Sequence, residues 1–70
     1  MKLYRLLTEI DDSVFCHKVS KAISEGWDLY GSPTYAFDAG EGVMKCGQAV
    51  VREVPEENYR EGIKLSSYKD

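Results

Sequence analysis

The fold turns on Asp11-Asp12-Ser13-Val14-Phe15-Cys16-His17-Lys18-Val19-Ser20-Lys21-Ala22-Ile23-Ser24-Glu25-Gly26-Trp27. Asp11, Asp12 and Ser13 accept hydrogen bonds from the free amides of a first helical turn, and the two carboxylates suit the positive end of the helix dipole. From there Phe15, Val19, Ala22 and Ile23 recur at i, i+4, i+7 and i+8, with His17, Lys18, Lys21, Ser24 and Glu25 on the other side. Gly26 takes a left-handed C-cap conformation without steric cost, and Lys21 sits near the negative dipole end. The stretch predicts one amphipathic helix with a start and a stop, followed by Trp27 as the aromatic that anchors it to a sheet.

Strand chemistry flanks this helix. Lys2 to Thr8 is short and rich in aliphatic and aromatic side chains, with Tyr4 and Leu6 opposite to Leu3 and Leu7. After Gly26, Trp27-Asp28-Leu29-Tyr30 and Thr34-Tyr35-Ala36-Phe37 read as one bent strand or two short ones around the break Gly31-Ser32-Pro33. Asp38-Ala39-Gly40-Glu41-Gly42 has the length and glycines of a hairpin turn. The returning strand runs from Val43 to about Val54, where Pro55 stops it. Along it Met44, Cys46, Gln48, Val50 and Arg52 point one way, and Val43, Lys45, Gly47, Ala49, Val51 and Glu53 the other. The expected fold is therefore α+β: a single β-α-β-β domain over residues 1–54, one helix on a three-stranded sheet. Residues 55–70 read as a polar tail, with Tyr59, Ile63, Leu65 and Tyr68 to bury, that frays, forms a short helix or reaches a neighbouring subunit. The alternation leaves open whether the first strand pairs antiparallel with the last or parallel with the second.

Seventy residues hold one small domain and no second. Charged residues make up 30% and hydrophobic ones 43%, which is globular and not disordered. A net charge of −3, with acidic excess both before and after Val54, argues against nucleic acid as partner. Cys16 and Cys46 are too few for a stapled scaffold, and no zinc-ligand spacing or cofactor motif is present, so a reduced, cytoplasmic chain is expected. Met1 to Arg5 runs into charged residues without a signal-like or membrane-spanning apolar stretch. A core this small is marginal alone, and large apolar groups outnumber what one helix hides, so self-association is expected, by sheet-to-sheet or edge-to-edge pairing of identical chains.

Four stretches carry a resemblance: Met1 to Thr8; Asp11-Asp12 before Phe15-Cys16-His17; Gly26-Trp27-Asp28-Leu29-Tyr30-Gly31-Ser32-Pro33-Thr34; and Cys46-Gly47-Gln48-Ala49-Val50-Val51. Together they resemble the bacterial and phage family catalogued as domain of unknown function 1737, over roughly Lys2 to Val54. The resemblance implies a small bacterial or phage protein and brings no catalytic residues with it.

No side-chain constellation demands catalysis. His17 and Cys16 are helix neighbours that point about 100° apart, which makes them a poor thiol-base pair. Both thiols read as small buried hydrophobes, and Asp11 and Asp12 as helix caps. Gly31-Ser32-Pro33-Thr34 is either a bulge that turns the sheet or, between Tyr30 and Tyr35, the floor of an anion pocket. Arg5, Lys45 and Arg52 either line a shared cleft in an oligomer or guard strand edges, and Gln48 is a specificity group or a contact across a twofold axis. The expected ligand set is thus Arg5, Tyr30, Ser32, Thr34, Tyr35, Lys45, Gln48 and Arg52, with no catalytic and no metal site. Two functions are expected of such a chain: a non-enzymatic homo-oligomeric module that engages a protein partner through its bare sheet face, or an oligomer that sequesters or senses a small anionic nucleotide-like ligand at subunit boundaries.

Overall fold

The computed structural model describes residues 1–68 and contains β1 (Lys2–Ile10), α1 (Ser13–Ser24), β2 (Asp28–Asp38), β3 (Val43–Glu53) and a single 3-10 turn at Leu65–Ser67. Lys69 and Asp70, the end of the expected tail, lie outside the described residues.

Asp12 caps α1: its backbone is extended and its carboxylate accepts the Val14 amide at 2.9 Å. At the other end the amides of Glu25, Gly26 and Trp27 fold back onto the carbonyls of Lys21, Ala22 and Ile23, with Gly26 at a φ of +98°. That geometry strains any residue with a Cβ, and it turns the chain straight from helix into strand. Ala22 is buried, and Phe15 and Val19 are half-buried. Ile23 was expected on the same stripe but is 47% exposed. The helix lies mainly over β1, so the buried line runs through Phe15, Val19 and Ala22, and Ile23, 100° further round, points away.

The sheet order is β1-β3-β2 with both pairings antiparallel, which settles the open choice of partner for β1. The β2–β3 hairpin leaves β3 central, and both edges belong to strands that run in the same direction. In β2 the register slips between Tyr30 and Thr34, so Gly31, Ser32 and Pro33 form a bulge in one continuous bent strand. Gln48 clasps that bulge: its Nε2 donates to the carbonyls of Tyr30, Gly31 and Ala49 at 3.3, 3.3 and 2.9 Å. Buried to 5% exposure, Gln48 thus satisfies carbonyls that the bulge takes out of the ladder.

The alternation in β3 is as expected. Cys46, Gln48, Val50 and Arg52 share the helix side with Leu3, Arg5 and Leu7 of β1, while Gly47, Ala49 and Val51 share the outer side with Tyr4, Leu6 and Thr8. The core is Leu3, Leu7, Ala22, Trp27 and Val50. Trp27 is 1% exposed and its indole N–H donates to the Tyr68 carbonyl at 3.2 Å. The tail therefore turns back onto its own sheet: Ile63, Leu65 and Tyr68 pack on the core, and Tyr59 stays exposed. Met1 ties its beginning, donating from its amino terminus to the carbonyls of Val54 and Glu57. Among the described residues no helix is long and apolar enough to cross a membrane.

A chain ending at Pro55 loses three apolar contacts and the acceptor of a buried indole N–H. Its stability is expected to fall by about 3 kcal/mol in urea denaturation, with red-shifted Trp27 emission. An unchanged midpoint would contradict this packing of the tail.

Candidate functional site

Among the described residues, nothing is layered over the outer face of the sheet. Tyr4, Leu6 and Ile10 of β1 are 55%, 54% and 40% exposed, and Tyr30 of β2 is 59% exposed. The register makes Tyr4, Leu6 and Tyr30 one surface, because Tyr4 lies opposite Val51 and Leu6 and Tyr30 lie on either side of Ala49, while Ile10 lies beyond Thr8, opposite Lys45. Gly47 keeps its centre low. A Cβ there would stand 2.6 Å from the Thr34 Oγ1, which instead donates to the Gly47 carbonyl at 3.4 Å. Charges of both signs close the two ends. Lys2 faces Glu53 across the strands at one, and Lys45 reaches Glu41 at 3.1 Å and Asp38 at 3.7 Å at the other. Three strands about 4.8 Å apart, paired over some nine residues, present roughly 400 Å² in projection, with the charged ends and the Thr8–Gly47–Thr34 row included.

The eight residues expected to hold a ligand divide between the two sides. Arg5, Tyr35, Gln48 and Arg52 are on the helix side; Tyr30, Thr34 and Lys45 are on the outer side; Ser32 is exposed in the bulge. They do not form one cleft within the subunit. Most are already engaged: Gln48 with the bulge, Arg52 Nη1 with the Glu25 carbonyl, Thr34 with Gly47, and Lys45 with its two acids. Arg5 stacks over Trp27, its guanidinium carbon 5.1 Å from the ring centroid. Beside it on α1 stand Lys18 and Lys21, which the sequence reading left on the solvent side. Their i, i+3 spacing was the available signal, since it puts both on one helical face.

At the far end of the helix side, Asp11 departs from its expected role. Only Asp12 caps α1. Asp11 instead accepts the Tyr35 hydroxyl at 2.5 Å and the Cys46 thiol at 3.7 Å, tying the β1–α1 corner to the hairpin. Its amide is taken by the Met44 carbonyl, which aims the residue at β2 and β3 and not at the helix. The thiols also depart from expectation. Cys16 is exposed, because it follows Phe15 and falls off the buried stripe, and Cys46 is half-covered, because the helix starts short of it. Partial burial, then the Asp11 charge, pushes the Cys46 thiol above its usual range. His17 is exposed on α1.

Fold and surface define a small antiparallel α+β domain with one sheet face under a helix and tail, and the other bare. The chain belongs to the family described as domain of unknown function DUF1737, whose model matches residues 1–53 and so spans the helix and all three strands. No curated protein and no solved structure matches it.

The Asp11–Tyr35 bond has a pH signature. Donation to the Asp11 carboxylate, with partial burial and the carboxylate charge, raises the Tyr35 hydroxyl above its ordinary 10.0. The protonated hydroxyl is favoured by folding, so the bond's contribution is fully present below pH 10.0 and is lost as pH rises through the raised value. Tyr35 should be seen by NMR titration to ionise above 10.0, and Asp11→Ala should bring it back toward that value; identical titrations in the two proteins would dismiss the link.

Proposed function

We propose that this chain is a non-catalytic binding module that works as a homo-oligomer, and that the occupant of its bare sheet face is a second copy of the same chain. The observation that carries this is the continuity of Tyr4, Leu6, Ala49, Val51 and Tyr30 on one uncovered face, bordered by Asp28 beside Val51 and by the charged groups at its two ends. Each end offers both signs, so a twofold arrangement can set opposite charges against each other around an apolar centre that pairs with itself. The non-catalytic reading is supported by the helix side, where Asp11, Gln48 and Arg52 each hold backbone or hairpin together. A cytoplasmic setting accords with two free thiols, one of them exposed.

The area sets the strength. A stable dimer buries about 800 Å² per partner, and roughly 400 Å² of projected face with side-chain relief and a polar rim reaches the lower part of that range, so dissociation in the micromolar range is expected. Sedimentation velocity should show a dimer at about 100 μM and a monomer in Leu6→Glu, whose side chain is too exposed for the change to unfold the subunit. A wild-type monomer at that concentration, or a dimer that Leu6→Glu leaves intact, would overturn the proposal.

A further inference from the structure

Between β1, α1 and the returning tail lies a cavity of about 290 Å³, lined by Arg5, Lys18, Lys21, Ala22, Glu25 and Ser66. It is on the helix side and shares no residue with the bare face. The fold builds it from three sources. Arg5 sits between Leu3 and Leu7 on β1, Lys18 and Lys21 share a face of α1, and the tail brings Ser66 into place by packing Leu65 and Tyr68 on the core.

Three cationic residues line this space against one acidic residue, in a chain of net charge −3. Lys18 is partly spent, since its ammonium donates to the Thr8 carbonyl at 3.0 Å and pairs with Glu9 at 3.4 Å. Among the described residues, neither the Arg5 guanidinium nor the Lys21 ammonium has a carboxylate within ion-pair distance. Arg5 is held in position by its stack on a fully buried ring, which occupies the face of the guanidinium and leaves its N–H edge to meet an acceptor. Lys21 stands in the last turn of α1, whose partial negative charge opposes an anion, so the Arg5 and Lys21 charges together must outweigh that end.

We infer that this cavity binds a small soluble phosphomonoester, with Arg5 and Lys21 as its anion-binding groups. The planar fork of Arg5 matches two oxygens of a phosphoryl group, and Lys21 supplies the second positive charge. A phosphomonoester carries about −1.5 to −2 near pH 7, which matches the three cationic residues of the lining less the one acidic residue, Glu25, where a single carboxylate would leave the lining positive. The volume exceeds what a bare phosphate fills and sits at the lower bound of pockets for small organic ligands, about 300 Å³. This site lies within one subunit, unlike a ligand cleft at a subunit boundary, and does not depend on self-association.

Trp27 is the chain's single tryptophan and lies directly beneath Arg5, so its fluorescence reports the site. The test titrates ribose 5-phosphate, inorganic phosphate and ribose into the full chain, by Trp27 emission and by calorimetry. Ribose 5-phosphate should saturate with a dissociation constant below about 1 mM, at least about tenfold tighter than phosphate, and ribose should not bind. Lys21→Gln, on an exposed helix position that leaves the fold intact, should weaken it at least about tenfold, and Lys2→Gln, outside the cavity, should leave it unchanged. The dimer-breaking Leu6→Glu should bind as wild type does, which separates this inference from the proposed self-association. No saturation by about 10 mM, equal affinity for phosphate alone, full binding by Lys21→Gln, or loss of binding in Leu6→Glu would each overturn it.

Discussion

Burial of Trp27 is the interaction on which the rest depends. Trp27 forms one buried cluster with Leu3, Leu7, Ala22 and Val50, a core that draws on β1, α1 and β3. A buried indole must also satisfy its N–H, and the acceptor comes from the tail at Tyr68. That single requirement draws a polar segment of mostly exposed residues back over the helix side and gives the small core its last wall. The upper face of the ring then holds Arg5 in place, so the same residue organises the core, the tail and the basic cavity.

Because one helix and one tail cover only the helix side, the sheet is left asymmetric. Among the described residues the core holds five buried hydrophobic residues, while Tyr4, Leu6, Ile10 and Tyr30 remain on the outside. Under the proposed self-association, a second copy would supply the cover that a domain this small lacks on that side. The bulge at Gly31 to Pro33 works in the same direction. It bends β2, and Gln48 satisfies the displaced carbonyls from within, so the outer face stays free of buried polar groups.

The helix, the hairpin and the two faces of β3 were legible because each is written locally. Asp12 and Gly26 bracket a 3.6-residue pattern, the glycines of the hairpin turn mark a reversal, and period-two alternation assigns sides. What was not legible depends on contacts distant in the chain. The pairing of β1 with β3, the acceptance of the Trp27 N–H by a residue 41 positions away, and the reach of Asp11 to Tyr35 leave no periodic trace. The expected ligand set scattered for a physical reason: neighbours in a strand face opposite sides, so Tyr30 and Tyr35, or Lys45 and Arg52, cannot share a pocket in one subunit. Arg5 alone kept a basic neighbourhood, with lysines from a helix whose relation to β1 only the tertiary packing defines.

The central claim is that the outer sheet face is where two copies meet. Isotope-filtered NOE spectroscopy on a mixture of labelled and unlabelled chains addresses it most directly, because it sees only contacts between molecules. Intermolecular contacts from Leu6, Ala49 and Tyr30 are the predicted result. Contacts from helix-side residues such as Leu29 or Phe37, or none from either side at dimer-forming concentration, would contradict the account.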